Sequence, residues 1–206
     1  MPALDATIAA IDAANADDPR RIEGRAFELV YAERMSARLA ALYPAAADLL
    51  KIAARAQHLR RWEIERASYD DGRRGYNDWR RACRIHHANL VGEIMRAHGY
   101  DEPAVAHVGA LIRKEQLKKD PESQALENIA AIVFLEHYFD DFLEKHRDYD
   151  DDKLVDIIGK TLCKMSPKGH AAALALPLAP RARSLIEAAI AREAAALVRL
   201  AAVAVD

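Results

Sequence analysis

The sequence is short of the residues that several common architectures need. Only two cysteines, Cys83 and Cys163, occur in 206 residues, too few for a disulfide scaffold and without the spacing of a cysteine metal site. No run of about 18 apolar residues exists, so no segment reads as a membrane span. The formal net charge of −2 lacks the basic excess that an extended nucleic-acid surface requires. Residues 1–19 carry four Asp and no basic stretch, which is not a signal-peptide pattern, and a cytoplasmic location is the expectation. Alternation of apolar and polar residues is almost absent, and with it the case for strands. No internal repeat or low-complexity linker stands out.

What is present is helical. Hydrophobic residues make up 51% and charged residues 30%, the balance of a soluble globular chain long enough to bury a substantial core. Ala, Leu, Arg and Glu, the good helix formers, dominate, and Gly and Pro fall between periodic segments. The pattern predicts an all-α fold, a single-domain bundle over residues 1–206. Its helices are expected at 3–14, 25–43, 46–63, 74–98, 102–118, 122–146, 151–164, 167–176 and 180–204. Asp120-Pro121 and Ser166-Pro167 each set a capping side chain before a proline at the first helical position. The stretch Asp148–Asp152 reads as a solvated acidic loop. Ile129–Leu135 is apolar all round and should be the central core helix. The Ala-rich last helix packs either on the body, the favoured reading, or on a second copy as a homodimer.

The helix expected over 46–63 is the natural wall of a site. Leu49, Ile52, Ala53, Ala56 and Leu59 form its buried face, while His58 lies round the helix beside Ala54, Arg55 and Trp62. Elsewhere, charged or imidazole side chains fall inside apolar stripes. Glu33 is flanked by Leu29, Val30, Ala37 and Ala40. His87, with His86 at the border, lies among Trp79, Cys83, Leu90 and Ile94. Glu115 continues the line of Ala104, Val108 and Leu111, and Glu127 and Glu136 bracket the apolar core helix. Side chains projecting inward from several helices are how a bundle builds an internal site. Each also has a plainer reading: His87 as a core histidine bonded to a carbonyl, Glu33 as half of an arginine pair, Glu115 as a helix-end charge. Two carboxylates about 4 Å apart repel by roughly 4 kcal/mol at an effective dielectric near 20. Such a cluster therefore needs an arginine or a cation. Two neutral His and two Glu suit Fe, Mn, Zn or Co rather than Ca.

Several segments resemble a known family, the one catalogued as domain of unknown function 4202. They are Ala13–Pro19, Glu28–Met35, Ala53–Glu63, Leu111–Glu115 and Lys164–Pro167, within a likeness running over residues 9–189. The family brings no established activity. More distantly, the layout is similar to the HD-domain metal-dependent phosphohydrolases, whose relatives include di-iron oxygenases. That resemblance implies an HD-like fold, with Glu33 at the early His position and His58-Leu59 at the His-Asp pair. It sets His87 and Glu115 at the later His positions and Glu127-Asn128 at the final Asp. Leu59 cannot ligate, so one metal is implied rather than two. Lys164–Lys168 resembles the mobile KMSKS loop of class I aminoacyl-tRNA synthetases, but the chain lacks the parallel sheet and His-x-Gly-His motif beside which that loop works.

These readings lead to an expected metal-dependent hydrolase on a degenerate HD-like fold, acting on a phosphorylated or other anionic small molecule. Glu33, His58, His87 and Glu127 would hold a divalent metal (Fe, Mn, Zn or Co), and Glu115 would ligate it or act as base. Arg60 and Lys114 would hold the substrate, with Arg61 read as a surface charge. The alternatives are an iron-dependent oxygenase on the same site, and a non-catalytic helical binding module in which Glu–Arg pairs replace the metal.

Overall fold

Apolar residues at three- and four-residue spacing do form helices throughout. A computed structural model describes residues 3–205, with 72% of it helical and 2% in strand. The all-α expectation therefore holds. Among the described residues there are ten α-helices, one more than the nine expected, because the helix expected over 122–146 is broken at residue 138 into two. The chain divides into two units, Met1–Gln116 and Leu117–Asp206. No helix of the described residues is long and apolar enough to cross a membrane.

In the first unit, α1 (Leu4–Ala16) is followed by a small antiparallel hairpin of β1 (Arg21–Ile22) and β2 (Arg25–Ala26). Its turn residues Glu23 and Gly24 both have positive φ, 53° and 77°, as a two-residue primed hairpin turn requires. Helix α2 (Phe27–Leu42) starts directly after it. Ala26 cannot cap that helix. Instead the Glu28 backbone N–H donates to Asp18 Oδ2 at 3.0 Å, so an aspartate ten residues upstream supplies the cap.

Helix α3 (Asp48–Arg55) carries the predicted apolar stripe, with Ile52, Ala53 and Ala56 fully buried, but stops well short of residue 63. The chain turns at residues 56–60 and resumes as a single 3-10 turn, Arg61–Glu63. The cause is tertiary. Arg60 adopts the left-handed conformation at φ 50° and donates its N–H to Asn15 Oδ1 at 3.0 Å. The Leu59 carbonyl lies 2.8 Å from His87 Nδ1. These two buried side chains take both ends of one peptide group, which therefore has no need of the helix ladder.

Helix α4 (Gly72–Ala97) buries Cys83, His87, Val91 and Met95 and packs mainly on α5 (Glu102–Arg113). The expected extension of α5 to residue 118 fails at Lys114, which is left-handed at φ 62° and returns its N–H to the helix carbonyls. Asparagine or glycine normally marks such a stop, and neither is present.

In the second unit, α6 (Pro121–His137) is capped by Asp120, which accepts from the Ser123 N–H at 2.7 Å. It buries Leu126, Ile129, Ile132 and Val133, as its apolar character predicts. The chain breaks at Tyr138, and α7 (Phe139–Lys145) follows with Phe139 and Phe142 packed against Phe134. The acidic stretch is more than solvated loop, since Asp150 caps α8 (Asp151–Leu162) through the Lys153 N–H. Ser166 stands at the N-cap of α9 (Pro167–Leu174), but its hydroxyl does not cap it. That hydroxyl accepts from Asn128 Nδ2 at 2.9 Å, and the Ser166 N–H donates to Asn128 Oδ1 at 3.0 Å. Helix α10 (Pro180–Ala201) buries Ala182, Leu185, Ile186 and Ala189 and packs on α8. Val198, in a later turn, is 71% exposed.

Candidate functional site

Three elements of the first unit bring ionisable side chains together: the first turn of α2, the broken end of α3 and the middle of α4. The turn after α3 places His58 beside the start of α2. Its ring stacks on Tyr31, with centroids 4.0 Å apart, and its Nδ1 is 3.3 Å from Glu28 Oε2. The His87 ring is 5.9 Å from that of His58. Glu28 and His87 are each 1% exposed, whereas the His58 side chain keeps 22% of its surface in contact with solvent.

Beside this cluster lies an ion network of two buried carboxylates on an arginine whose side chain is 46% exposed. Asp18 is fully buried and accepts from the Arg20 N–H, Nε and Nη2 at 2.9, 3.1 and 3.0 Å. Arg20 Nη2 also donates to Glu28 Oε1 at 2.6 Å. Asp18 thus grips the guanidinium in bidentate fashion through Nε and Nη2, and Glu28 shares the same Nη2, all charge-assisted bonds. It fixes Glu28 with one oxygen on Arg20 and the other turned towards His58.

The electrostatics follow from burial and from the neighbouring cations. Burial, with the positive charges of Arg61, Arg80, Lys114 and Arg20, holds the His58 imidazole well below its ordinary pKa. Burial does the same to His87, helped by His58 and Arg61. Burial raises the Glu28 carboxyl against the opposing pull of Arg20. Both histidines are therefore neutral at pH 7. The His87 tautomer is also fixed, because the Leu59 carbonyl can only accept and the proton must sit on Nδ1. Its Nε2 is a bare lone pair, and neither that atom nor Glu28 Oε2 has a hydrogen-bond partner.

Of the residues expected from sequence, His58 and His87 are thus brought together. Glu33 does not join them. It is 38% exposed and accepts from Arg25 Nη2 at 2.6 Å, a partner delivered by the hairpin. Glu115 lies past the end of α5, 48% exposed, and is held by Arg113 Nε at 2.6 Å. Arg60 pairs with Glu63 at 2.6 Å, and Lys114 sits in the turn that ends α5. Glu127 belongs to the second unit and is 8% exposed. Arg61, read as surface charge, lies 4.5 Å over the Trp79 ring and acts on both histidines.

The residues missed are Glu28, Asp18, Arg20, Asn15 and Tyr31. Only one signal pointed at them: they lie in or beside the segments Ala13–Pro19 and Glu28–Met35. Those segments lead to a family model. It is the one described as domain of unknown function 4202, and it matches residues 5–186. The chain belongs to this family. No curated protein and no solved structure matches the chain. The metal expected from the sequence would need its donors gathered at one point of this family-4202 chain. Among the described residues, no group of three or more His, Cys, Asp or Glu side chains is placed to hold a metal ion. One oxygen of Glu28 is committed to Arg20, and Glu33 and Glu115 are committed to arginines elsewhere. Within the first unit Glu33 and Glu115 do not join His58 and His87, and the donors gathered there do not fit a metal centre.

Proposed function

We propose that the first unit is a hydrolase for an anionic, phosphorylated small molecule, with its chemistry at His58. One observation carries this reading: a neutral, partly accessible imidazole faces a buried carboxylate within the field of Arg20, Arg61, Arg80 and Lys114. A cationic surround attracts a phosphate and disfavours a protonated histidine, so substrate binding and a free base are compatible. In the reaction His58 takes a proton from water as the water oxygen forms a bond to phosphorus and the bond from phosphorus to the ester oxygen breaks; the departing alkoxide is protonated from solvent, and the imidazolium returns its proton to solvent to restore the base. The imidazolium so formed is stabilised by Glu28 Oε2, 3.3 Å away and held in place through Arg20 and Asp18. Arg61, Arg80 and Lys114 neutralise charge on the phosphoryl oxygens, Arg20 being taken up by its two carboxylates. No step is routed through a metal.

The test is phosphate release from a panel of phosphate monoesters by the full chain in excess chelator. His58→Gln is expected to lower kcat/KM by about a hundredfold or more. Turnover that H58Q leaves intact would end the reading. A rise in turnover on adding Mn, Fe, Zn or Co ions, lost in H58Q, would restore the metal-dependent form suggested by the HD resemblance.

A second reading is a non-catalytic binding module, favoured by the arginine pairs Asp18–Arg20–Glu28 and Arg25–Glu33 standing where a cation would otherwise be needed. Ester binding without turnover, in wild type and H58Q alike, would decide for it.

A further inference from the structure

The two unpartnered acceptors in the cluster restrict what can bind there. Glu28 is 1% exposed, and its Oε1 is satisfied by Arg20, but Oε2 receives no hydrogen bond. His58 Nδ1 comes within 3.3 Å of that oxygen without making one. His87 is also 1% exposed; its Nδ1–H is used on Leu59, and its Nε2 lone pair is unmet. Leaving buried acceptors bare is costly, so native interiors rarely do it. Both groups border His58, and both lack the same thing, a hydrogen.

A phosphate cannot supply one. A phosphate dianion only accepts, and the nearby cations Arg61, Arg80 and Lys114 already suit it. What Glu28 Oε2 and His87 Nε2 need is a group with at least two hydrogens to give. A primary ammonium has three, and its positive charge also complements the carboxylate.

We propose that Glu28 Oε2 and His87 Nε2 receive the primary ammonium of the ligand, so that the site takes a small molecule carrying both an amine and a phosphate. The anionic half rests on the function proposed above; the amine half rests only on the two bare acceptors. The site then offers two kinds of contact, bare acceptors beside His58 and the positive charges of Arg61, Arg80 and Lys114 acting on it. An aminoalkyl phosphate meets both, and a simple alkyl phosphate meets only the second.

The experiment is calorimetric titration of the full chain at pH 7.5 with three probes: 2-aminoethyl phosphate, ethyl phosphate and ethanolamine. The aminated ester is expected to bind about tenfold more tightly than ethyl phosphate, the increment of one charge-assisted hydrogen bond or more. In Glu28→Gln that ratio should fall to about one. If this variant does not fold, the wild-type protein still decides, because the 15N resonance of His87 Nε2 should shift with 2-aminoethyl phosphate and not with ethyl phosphate. Equal affinity for the two esters overturns the proposal and leaves the anion site standing, the bare acceptors then being met by water. Ethanolamine binding alone keeps the amine contact and removes the phosphate. Zinc ions that bind the wild type, fail with E28Q and displace the amine would assign the acceptors to a metal and overturn the proposal.

Discussion

Asp18 is the residue on which the site's geometry depends. Four hydrogen bonds converge on its two oxygens, three from Arg20 and one from the Glu28 backbone, and none of its surface is exposed. Removing the carboxylate uncaps α2 and leaves the Glu28 N–H buried without a partner. Asp18→Ala is therefore expected to cost about 2 kcal/mol, the loss of a cap and of a buried donor's partner, read as a fall in the urea midpoint at unchanged slope. A loss under about 0.5 kcal/mol would show that water takes over these bonds. At this scale the sequence reveals some roles and hides others. His87 was legible because it interrupts an apolar stripe on a long, regular helix. Glu28 was not, because it sits in the first turn of α2, where an acidic residue is the ordinary complement to the helix dipole. Glu33 takes the plainer of its two readings, half of an arginine pair, with a partner that its own helix does not reveal. Its own helix makes it look buried, but Arg25 reaches it from a hairpin whose two-residue strands are too short to show a period.

Among the helices, the starts were more legible than the ends. Asp120 and Asp150 cap as local chemistry dictates, whereas α3 and α5 stop where tertiary contacts or left-handed residues stop them. Ser166 separates the two cases. It occupies a capping position, yet its hydroxyl is spent on Asn128, with 2% of the residue exposed. Asp150→Ala should cost about 1 kcal/mol, the usual loss of a helix cap. Ser166→Ala deprives a buried amide of its acceptor and should cost more, about 2 kcal/mol. Chemical denaturation of both variants checks the order, and a reversed ranking would mean that Asn128 finds another acceptor. The same buried amide leaves no room at Gly169, where an added Cβ would lie 2.5 Å from Asn128 Oδ1. A glycine in the middle of a short helix, unremarkable in sequence, is thus explained by the packing around it.

For the chain as a whole, the buried histidines make stability depend on pH. His58 and His87 are held below their ordinary value of 6.5 by burial first. Below that pH the unfolded chain therefore binds protons that the folded chain refuses. Stability is fully present above pH 6.5 and falls as pH drops, by up to about 1.4 kcal/mol per pH unit for each histidine. Glu28 acts in the opposite sense. Its carboxyl is raised by burial, so the folded chain holds that proton to higher pH and gains as the solution becomes acid. Two histidines outweigh one carboxyl, and the urea midpoint at pH 5.5 should lie below that at pH 7.5. His87→Gln should flatten the difference. An unchanged slope in that variant would mean that His87 is protonated in the fold. The all-helical class was legible at this scale because it depends only on composition and period. The site was not, because it is built where a helical pattern is interrupted.

That interruption bears on how the chain reaches its fold. Residues 49–59 carry an unbroken helical period, and nothing local ends it at Arg55. The peptide group between Leu59 and Arg60 is held from Asn15, 45 residues before Arg60, and from His87, 28 residues after Leu59. Until both have docked, local preference runs the helix on through His58 and turns its imidazole away from Glu28. The native turn is therefore expected to form only as α1 and α4 close around it, and an early overshoot of helical circular dichroism during refolding would show the exchange of helix for turn. Folding slowed at that step would populate a chain with more helix than the native protein and no site.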